Sequence, residues 1–271
     1  MTTSQRPSPR RKRFGQHFLH DVGVIRRIVN AIQPHTGAPL VEIGPGRGAL
    51  TRALLAEGIP LSVIEVDRNL VAHLTRELGA AGALHVYEAD ALAFDFRTFG
   101  RPVRVVGNLP YNISTPLLFH LLEQIDCIEQ MLFMLQKEVV DRICAPPGGR
   151  EYGRLTVMVQ ARCAVERLFN VGSGAFQPPP RVESALVRLV PRPDQALTIR
   201  DPALFADLVR GAFQQRRKML RNALRAMVTD PGPLLARHHL DGAARPETLT
   251  VAQYISLANA VSEMNAGSAG G

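Results

Sequence analysis

Short runs rich in Val, Ile and Leu alternate with stretches of helical periodicity from residue 39 onward, and no other feature constrains the fold as tightly. Residues 39–43, 61–66, 84–87, 103–106 and 131–135 read as strands, with helices at 49–56, 69–78 and 116–123 between them. Strands that are apolar on both faces must be covered on both faces. Repeated βα units of this kind therefore imply a mostly parallel sheet with helices on either side. Residues 155–161 and 185–190 are predicted as late strands that add an antiparallel edge. Ahead of the first strand, Asp21 is the expected cap of a helix whose Val22, Ile25, Ile28, Val29 and Ile32 share one face, and Pro34 ends it.

The pattern changes at Pro191 and Pro193. Beyond this linker the periodicity is helical: Phe205, Leu208, Val209, Ala212 and Phe213 share a face, Leu220, Leu224 and Met227 continue it, and Leu249, Tyr254, Leu257 and Val261 mark a last helix. The chain of 271 residues divides into a basic disordered tail (1–13), an α/β catalytic domain (14–193), a small all-helical domain (194–265) and a disordered end (266–271). A formal charge of +8 points to a polyanionic partner. No apolar run approaches the ~20 residues that cross a bilayer, and the polar, basic start has no apolar signal segment. Cys127, Cys144 and Cys163 are isolated and lack metal-ligand spacing, which fits a reducing compartment and no metal site. A cytoplasmic protein without a membrane segment is the expectation.

Chemistry enters at Val41-Glu42-Ile43-Gly44-Pro45-Gly46-Arg47-Gly48, where a strand gives way to a helix. Glycines such as Gly44 and Gly46 let the backbone turn tightly and approach a ligand without Cβ collisions. Such a loop serves NAD, FAD or S-adenosylmethionine equally well, or a tight turn alone. Two acids narrow it. Glu65 closes the next strand, where an adjacent-strand carboxylate accepts from ribose hydroxyls. Asp90 follows the third strand and is placed to accept from an adenine amino group.

After the fourth strand comes Gly107-Asn108-Leu109-Pro110-Tyr111. Its chemistry suits an amino group on a heteroaromatic ring. The lone pair of adenine N6 is delocalised into the ring and is a poor nucleophile. The Asn108 side-chain oxygen and the Leu109 carbonyl, accepting the two N6 hydrogens, hold the nitrogen in a more tetrahedral form. Its lone pair then faces the sulfonium methyl of S-adenosylmethionine for in-line displacement. Pro110 restricts Leu109 to an extended conformation and so fixes its carbonyl. Tyr111 stacks on an extruded base, a contribution of about 1–3 kcal/mol.

Arg13-Phe14-Gly15-Gln16-His17-Phe18-Leu19, the loop at 42–48, Asn108–Tyr111 and Phe176-Gln177-Pro178-Pro179-Pro180-Arg181-Val182-Glu183-Ser184 occur in this order. Together they resemble the small-subunit ribosomal RNA adenine dimethyltransferase family over about residues 10–260. The resemblance implies a Rossmann-like S-adenosylmethionine-dependent methyltransferase sheet with a small C-terminal all-helical domain. It implies transfer of four methyl groups to N6 of two adjacent adenosines in the 3′-terminal hairpin of 16S rRNA, in a partly assembled 30S subunit, by a monomer. It also places His17, Leu19, Gly44, Gly46, Glu65, Asp90 and Asn108 at the cofactor, with His17 standing where some members carry Asn. Phe176 becomes a second aromatic wall for the base, and Lys137 and Glu138 lie at the rim. Arg11, Lys12 and Arg13, and the run Arg216, Arg217, Lys218 with Arg221, form RNA-binding faces. Two other readings stay open: the related 23S rRNA adenine dimethyltransferases, which commonly carry Ile where this chain has Leu109, and a non-catalytic ribosome assembly factor.

Overall fold

The computed structural model describes residues 17–32, 37–79, 83–193, 198–225 and 227–268. The tail residues Arg11, Lys12 and Arg13, and residues 194–197 at the start of the expected helical domain, lie outside them. The chain opens with a short strand, β1 (Phe18–Leu19), and helix α1 (Val22–Ile32). A βα succession follows: β2 (Leu40–Ile43), α2 (Ala49–Ala56), β3 (Leu61–Glu65), α3 (Arg68–Leu78), β4 (Leu84–Glu88), β5 (Val103–Asn108), α4 (Ser114–Glu123), β6 (Ile128–Gln136) and α5 (Lys137–Ile143). Then come α6 (Arg154–Arg162), β7 (Cys163–Val171), β8 (Phe176–Gln177) and β9 (Ser184–Pro191), and four helices: α7 (Pro202–Gln214), α8 (Leu220–Leu224), α9 (Pro231–Arg237) and α10 (Val251–Ser268).

Caps set several of these boundaries. Asp21 Oδ1 accepts from Val24 N at 2.8 Å, as its position before α1 predicts. Asp67 does the same for α3 through Asn69 N at 2.9 Å, and Asp201 for α7 through Leu204 N at 2.9 Å. At the other end of α1, buried Arg104 donates from Nη1 to the Ile32 carbonyl at 2.9 Å and ties the helix to the foot of β5.

Seven strands form one sheet in the order β4-β3-β2-β5-β6-β9-β7, while β1 and β8 pair separately as a two-stranded antiparallel ribbon. β4, β3, β2, β5 and β6 are mutually parallel; β9 is antiparallel to both β6 and β7. Alternation along each strand feeds two cores, because successive side chains point to opposite faces. Val41, Ile64, Val105 and Phe133 face α4 and α5, whereas Leu40, Val63, Val106 and Leu132 face α1 and α2. A third core joins α7, α8, α9 and α10 to Tyr152, Val157 and Ala161. The helical unit therefore packs on residues from before the linker, and its core is continuous with α6. No helix among the described residues is long and apolar enough to cross a membrane.

Three expectations need correction. Residues 155–161 are not a strand but the body of α6. Gly153 N donates to Thr156 Oγ1 at 3.0 Å, which opens the helix, and burial of Thr156, Val157, Val159 and Ala161 overrides the strand preference of the β-branched residues. The strand missing from the expected set is β7, whose central Glu166 and Arg167 break the apolar pattern; β9 pairs between it and β6, so the antiparallel edge is present with β7 outermost. At the C-terminus α10 runs to Ser268, so residues 266–268 of the expected disordered end are helical.

Candidate active site

Strand order reverses between β2 and β5, since the chain builds outward from β2 through β3 and β4 before returning to add β5 and β6. In open α/β sheets the crevice outside the carboxyl ends of the strands at such a point is where ligands bind. A cavity of about 380 Å³ occupies it. His17, Leu19, Gly44, Gly46, Glu65, Asp90, Asn108, Leu109, Pro110, Tyr111 and Phe176 all line this one cavity. Residues that the sequence places at four separate strand ends thus meet in space.

The glycine loop is held by backbone geometry. Gly44, Gly46 and Gly48 have φ of +66°, +57° and +79°, the left-handed region that side chains resist. A Cβ on Gly46 would also come within 3.1 Å of the Phe18 ring. Beyond the loop, Glu65 is almost fully buried. Its Oε1 accepts from Val66 N at 2.9 Å and Asp67 N at 3.0 Å, while Oε2 has only a long contact, 3.4 Å, from Gly46 N. Oε1 is thus committed to the turn and Oε2 faces the loop with accepting capacity in reserve, as a ribose ligand requires. Burial raises the Glu65 pKa, opposed by those three amides. Asp90 likewise commits one oxygen, Oδ1, to Leu92 N at 2.9 Å.

Glu42 lies directly behind the loop, on the α2 side of β2. It is 2% exposed and accepts from Thr51 Oγ1 at 2.7 Å. Burial pushes its pKa up to about 7, the Thr51 hydrogen bond opposes this, and the charge of Glu65 adds to it. The folded chain holds this proton to near pH 7, whereas an unfolded Glu releases it near 4.5. Stability should therefore fall as pH rises across that interval, by about 3 kcal/mol in all. Glu42→Gln, which keeps an acceptor for Thr51, is expected to gain on the wild type in thermal melts from pH 5 to 7 and to hold a constant lead above that. Parallel melting curves for the two proteins would disprove the assignment.

The Asn108–Tyr111 segment closes the cavity. Asn108 Nδ2 donates to the His17 carbonyl at 3.1 Å, which fixes the amide and leaves Oδ1 as the accepting end. Neither Oδ1 nor the Leu109 carbonyl accepts a hydrogen bond from any other described residue, while Leu109 N donates to the Met134 carbonyl at 3.1 Å. Asn108 is not a helix cap; α4 starts six residues later, with Ile113 at its cap position. Tyr111 is half-buried, and its hydroxyl meets the side chain of buried Ser184. The His17 ring lies 5.7 Å from the Tyr111 ring and donates from Nδ1 to the Pro178 carbonyl at 2.7 Å. His17 thus links three segments of the site, through its carbonyl as much as through its ring.

Several residues escaped assignment from sequence. Gly107, directly ahead of Asn108, packs against β2 so closely that an added Cβ would sit 2.6 Å from the Ile43 carbonyl oxygen. Phe18, Arg47 and Val66 also line the cavity; the Arg47 guanidinium lies 4.8 Å from the Phe18 ring centroid. Phe176 has a double role: it is 2% exposed and belongs to the core beside α1, yet lines the cavity through its pairing with Leu19. Lys137 and Glu138 do not line it. They pair along α5 with Asp141 and Arg142, and Arg167 joins Asp141. Arg216, Arg217 and Lys218 lie in the turn between α7 and α8 and not on a helix face, with Arg217, Lys218 and Arg221 exposed.

Comparison with known proteins agrees with this geometry. The profile of the family described as ribosomal RNA adenine dimethylase matches residues 8–263. Ribosomal RNA small subunit methyltransferase A of Pseudomonas aeruginosa is 52% identical over 257 residues, covering 94% of this chain and 95% of that protein. Its counterpart in Nitrosococcus oceani is 54% identical over 251 residues, covering 91% and 94%. Among solved structures, a dimethyladenosine transferase from Plasmodium falciparum superposes with a TM-score of 0.77 at 25% identity, covering 92% of this chain and 98% of that one. The 23S rRNA methyltransferase ErmE does so with a TM-score of 0.67 at 26% identity, covering 90% and 99%. With a Rossmann-like sheet whose switch-point cavity carries the glycine loop, Glu65 and the Asn108–Tyr111 loop, and a family match over residues 8–263, the chain belongs to the ribosomal RNA adenine dimethylase family.

Proposed function

We propose that the chain is an S-adenosylmethionine-dependent rRNA (adenine-N6,N6)-dimethyltransferase of the small subunit. It transfers four methyl groups to two adjacent adenosines in the 3′-terminal hairpin of 16S rRNA, acting in the cytoplasm as a monomer on a partly assembled 30S particle. The observation that carries this reading is the pair of uncommitted acceptors, Asn108 Oδ1 and the Leu109 carbonyl, at the mouth of a nucleoside-sized cavity. Identity of 52–54% to small-subunit enzymes, against 26% to a 23S enzyme, favours the small subunit over the large one.

The residues fit the cofactor. The left-handed glycines open a backbone cradle, Glu65 Oε2 takes ribose hydroxyls, and Asp90 offers a carboxylate oxygen to the adenine amino group. S-adenosylmethionine brings a methyl group already activated on a sulfonium, so the protein needs no strong base. The chain's own work is orientation and electrostatic preorganisation. Asn108 Oδ1 and the Leu109 carbonyl draw the two N6 hydrogens of the target adenine and localise its lone pair. Tyr111, half-buried on the cavity wall, stacks on the base. In the second transfer only one N6 hydrogen remains, so one acceptor goes unmet. The loop therefore works as a positioning device that tolerates the loss of one hydrogen bond.

The test is to incubate the protein with labelled S-adenosylmethionine and undermethylated 30S or 50S subunits, and to map the product. Label on the two hairpin adenosines of 16S rRNA is expected. Label in 23S rRNA, or none, overturns the reading.

A further inference from the structure

Arg216 differs from its neighbours in the basic turn. Its Nη2 donates to the Gly149 carbonyl at 3.1 Å, and its Nε lies 3.7 Å from Glu247 Oε2. That carboxylate oxygen is buried and accepts no hydrogen bond from the described residues, so its compensation comes from the Arg216 charge. Glu247 in turn accepts from Gly148 N through its backbone carbonyl at 2.7 Å. Segment 145–152 is thus gripped from two sides by the helical unit, and Ala145 and Tyr152 at its ends are buried in that unit's core. Arg217 and Lys218 are exposed and form no ion pair among the described residues, and the same holds for Arg150, next in sequence to the Gly149 that Arg216 holds.

A cation already serving a buried carboxylate is costly to withdraw, because the carboxylate is left uncompensated. A cation without an acidic partner is free to displace counterions from a phosphate backbone. We infer that the RNA face is a composite of both units, in which Arg150 joins Arg217 and Lys218 as a phosphate contact while Arg216 is a positioning residue that fastens segment 145–152 to the helices. The guanidinium suits the task, since its planar fork reaches a carbonyl and a carboxylate at once. This inference rests on the RNA-binding reading above.

Binding of the full chain to undermethylated 30S subunits, followed between about 50 and 200 mM salt, separates the roles. Arg150→Ala, Arg217→Ala and Lys218→Ala are each expected to lower the slope of log K against log salt by about one. Arg216→Met should leave the slope unchanged, weaken binding in parallel at every salt concentration, and lower the Tm by several degrees. Adding Glu247→Gln to it should recover part of the Tm loss, the part owed to the uncompensated carboxylate, and leave the binding loss, which follows from the lost hold on Gly149. A slope reduced by Arg216→Met, a slope unmoved by Arg150→Ala, or an unchanged Tm in Arg216→Met overturns the inference. A wild-type slope near zero sinks the RNA reading instead, and the Tm of the single and double variants still reports on the strut.

Discussion

Asn108→Ala is expected to lower the single-turnover rate of methyl transfer by about 10³-fold, the upper end of what removal of one preorganised hydrogen-bonding group costs. The Kd for S-adenosylmethionine should move only a few-fold. Two functions are lost together. The side-chain oxygen no longer takes an N6 hydrogen, and the amide no longer holds the His17 carbonyl, which it now does at 3.1 Å. Asn108→Asp separates the two. It retains an acceptor of the same reach but sets a carboxylate oxygen against the His17 carbonyl, so the loop loses its anchor. If anchoring matters as the geometry indicates, the Asp variant falls at least tenfold as well; this follows from the steep dependence of rate on alignment of the reacting groups. Single-turnover kinetics with equilibrium cofactor binding decides the matter. Undiminished transfer by the Ala variant would remove Asn108 from the mechanism.

Much of this site was legible in the sequence because its chemistry is carried by backbone features that leave compositional marks. Gly44 and Gly46 at a strand-to-helix junction, and Pro110 within a polar loop, are residues chosen for φ and ψ, and the strand periodicity places them at one sheet edge. Glu65 could be located because it closes a strand whose apolar run is unmistakable, and Asp90 because it follows the next strand of the βα succession. What remained hidden depends on packing between distant segments. The grip of Arg216 on Gly149 and Glu247 spans residues far apart in the chain, so a basic run looked uniform although its first member is engaged. α6 was misread because its β-branched residues follow local strand preference while α5, α7 and α10 pack around it as a helix. Glu42 carries a visible charge beside the glycines, but only the fold shows that this carboxyl is buried behind them with Thr51 as its partner.

Gly107→Ala should produce the second large effect, and through the sheet instead of the chemistry. β2 and β5 are adjacent parallel strands that pair through Glu42 and Val106, and Gly107 follows where the ladder ends at the cavity. An added methyl would sit 2.6 Å from the Ile43 carbonyl oxygen and 3.0 Å from the Leu109 side chain. The first of these is backbone at the base of the glycine loop and has nowhere to swing. Relief requires β5 to move away from β2, which disturbs Gly44 on one side and Asn108 on the other. Overpacking of this kind costs about 3 kcal/mol, or about 6–12 °C in Tm for a chain of this size. The same displacement moves the Asn108 and Leu109 acceptors relative to the glycine loop, so cofactor affinity and transfer rate should drop together, unlike the selective loss in Asn108→Ala. Measured below the lowered Tm, where the variant is folded, transfer is expected to fall by about 10²-fold, as misplacement of about 1 Å allows. A Gly107→Ala protein that melts with the wild type and turns over normally would show that the two strands can part without cost, and that the acceptor geometry does not depend on their contact.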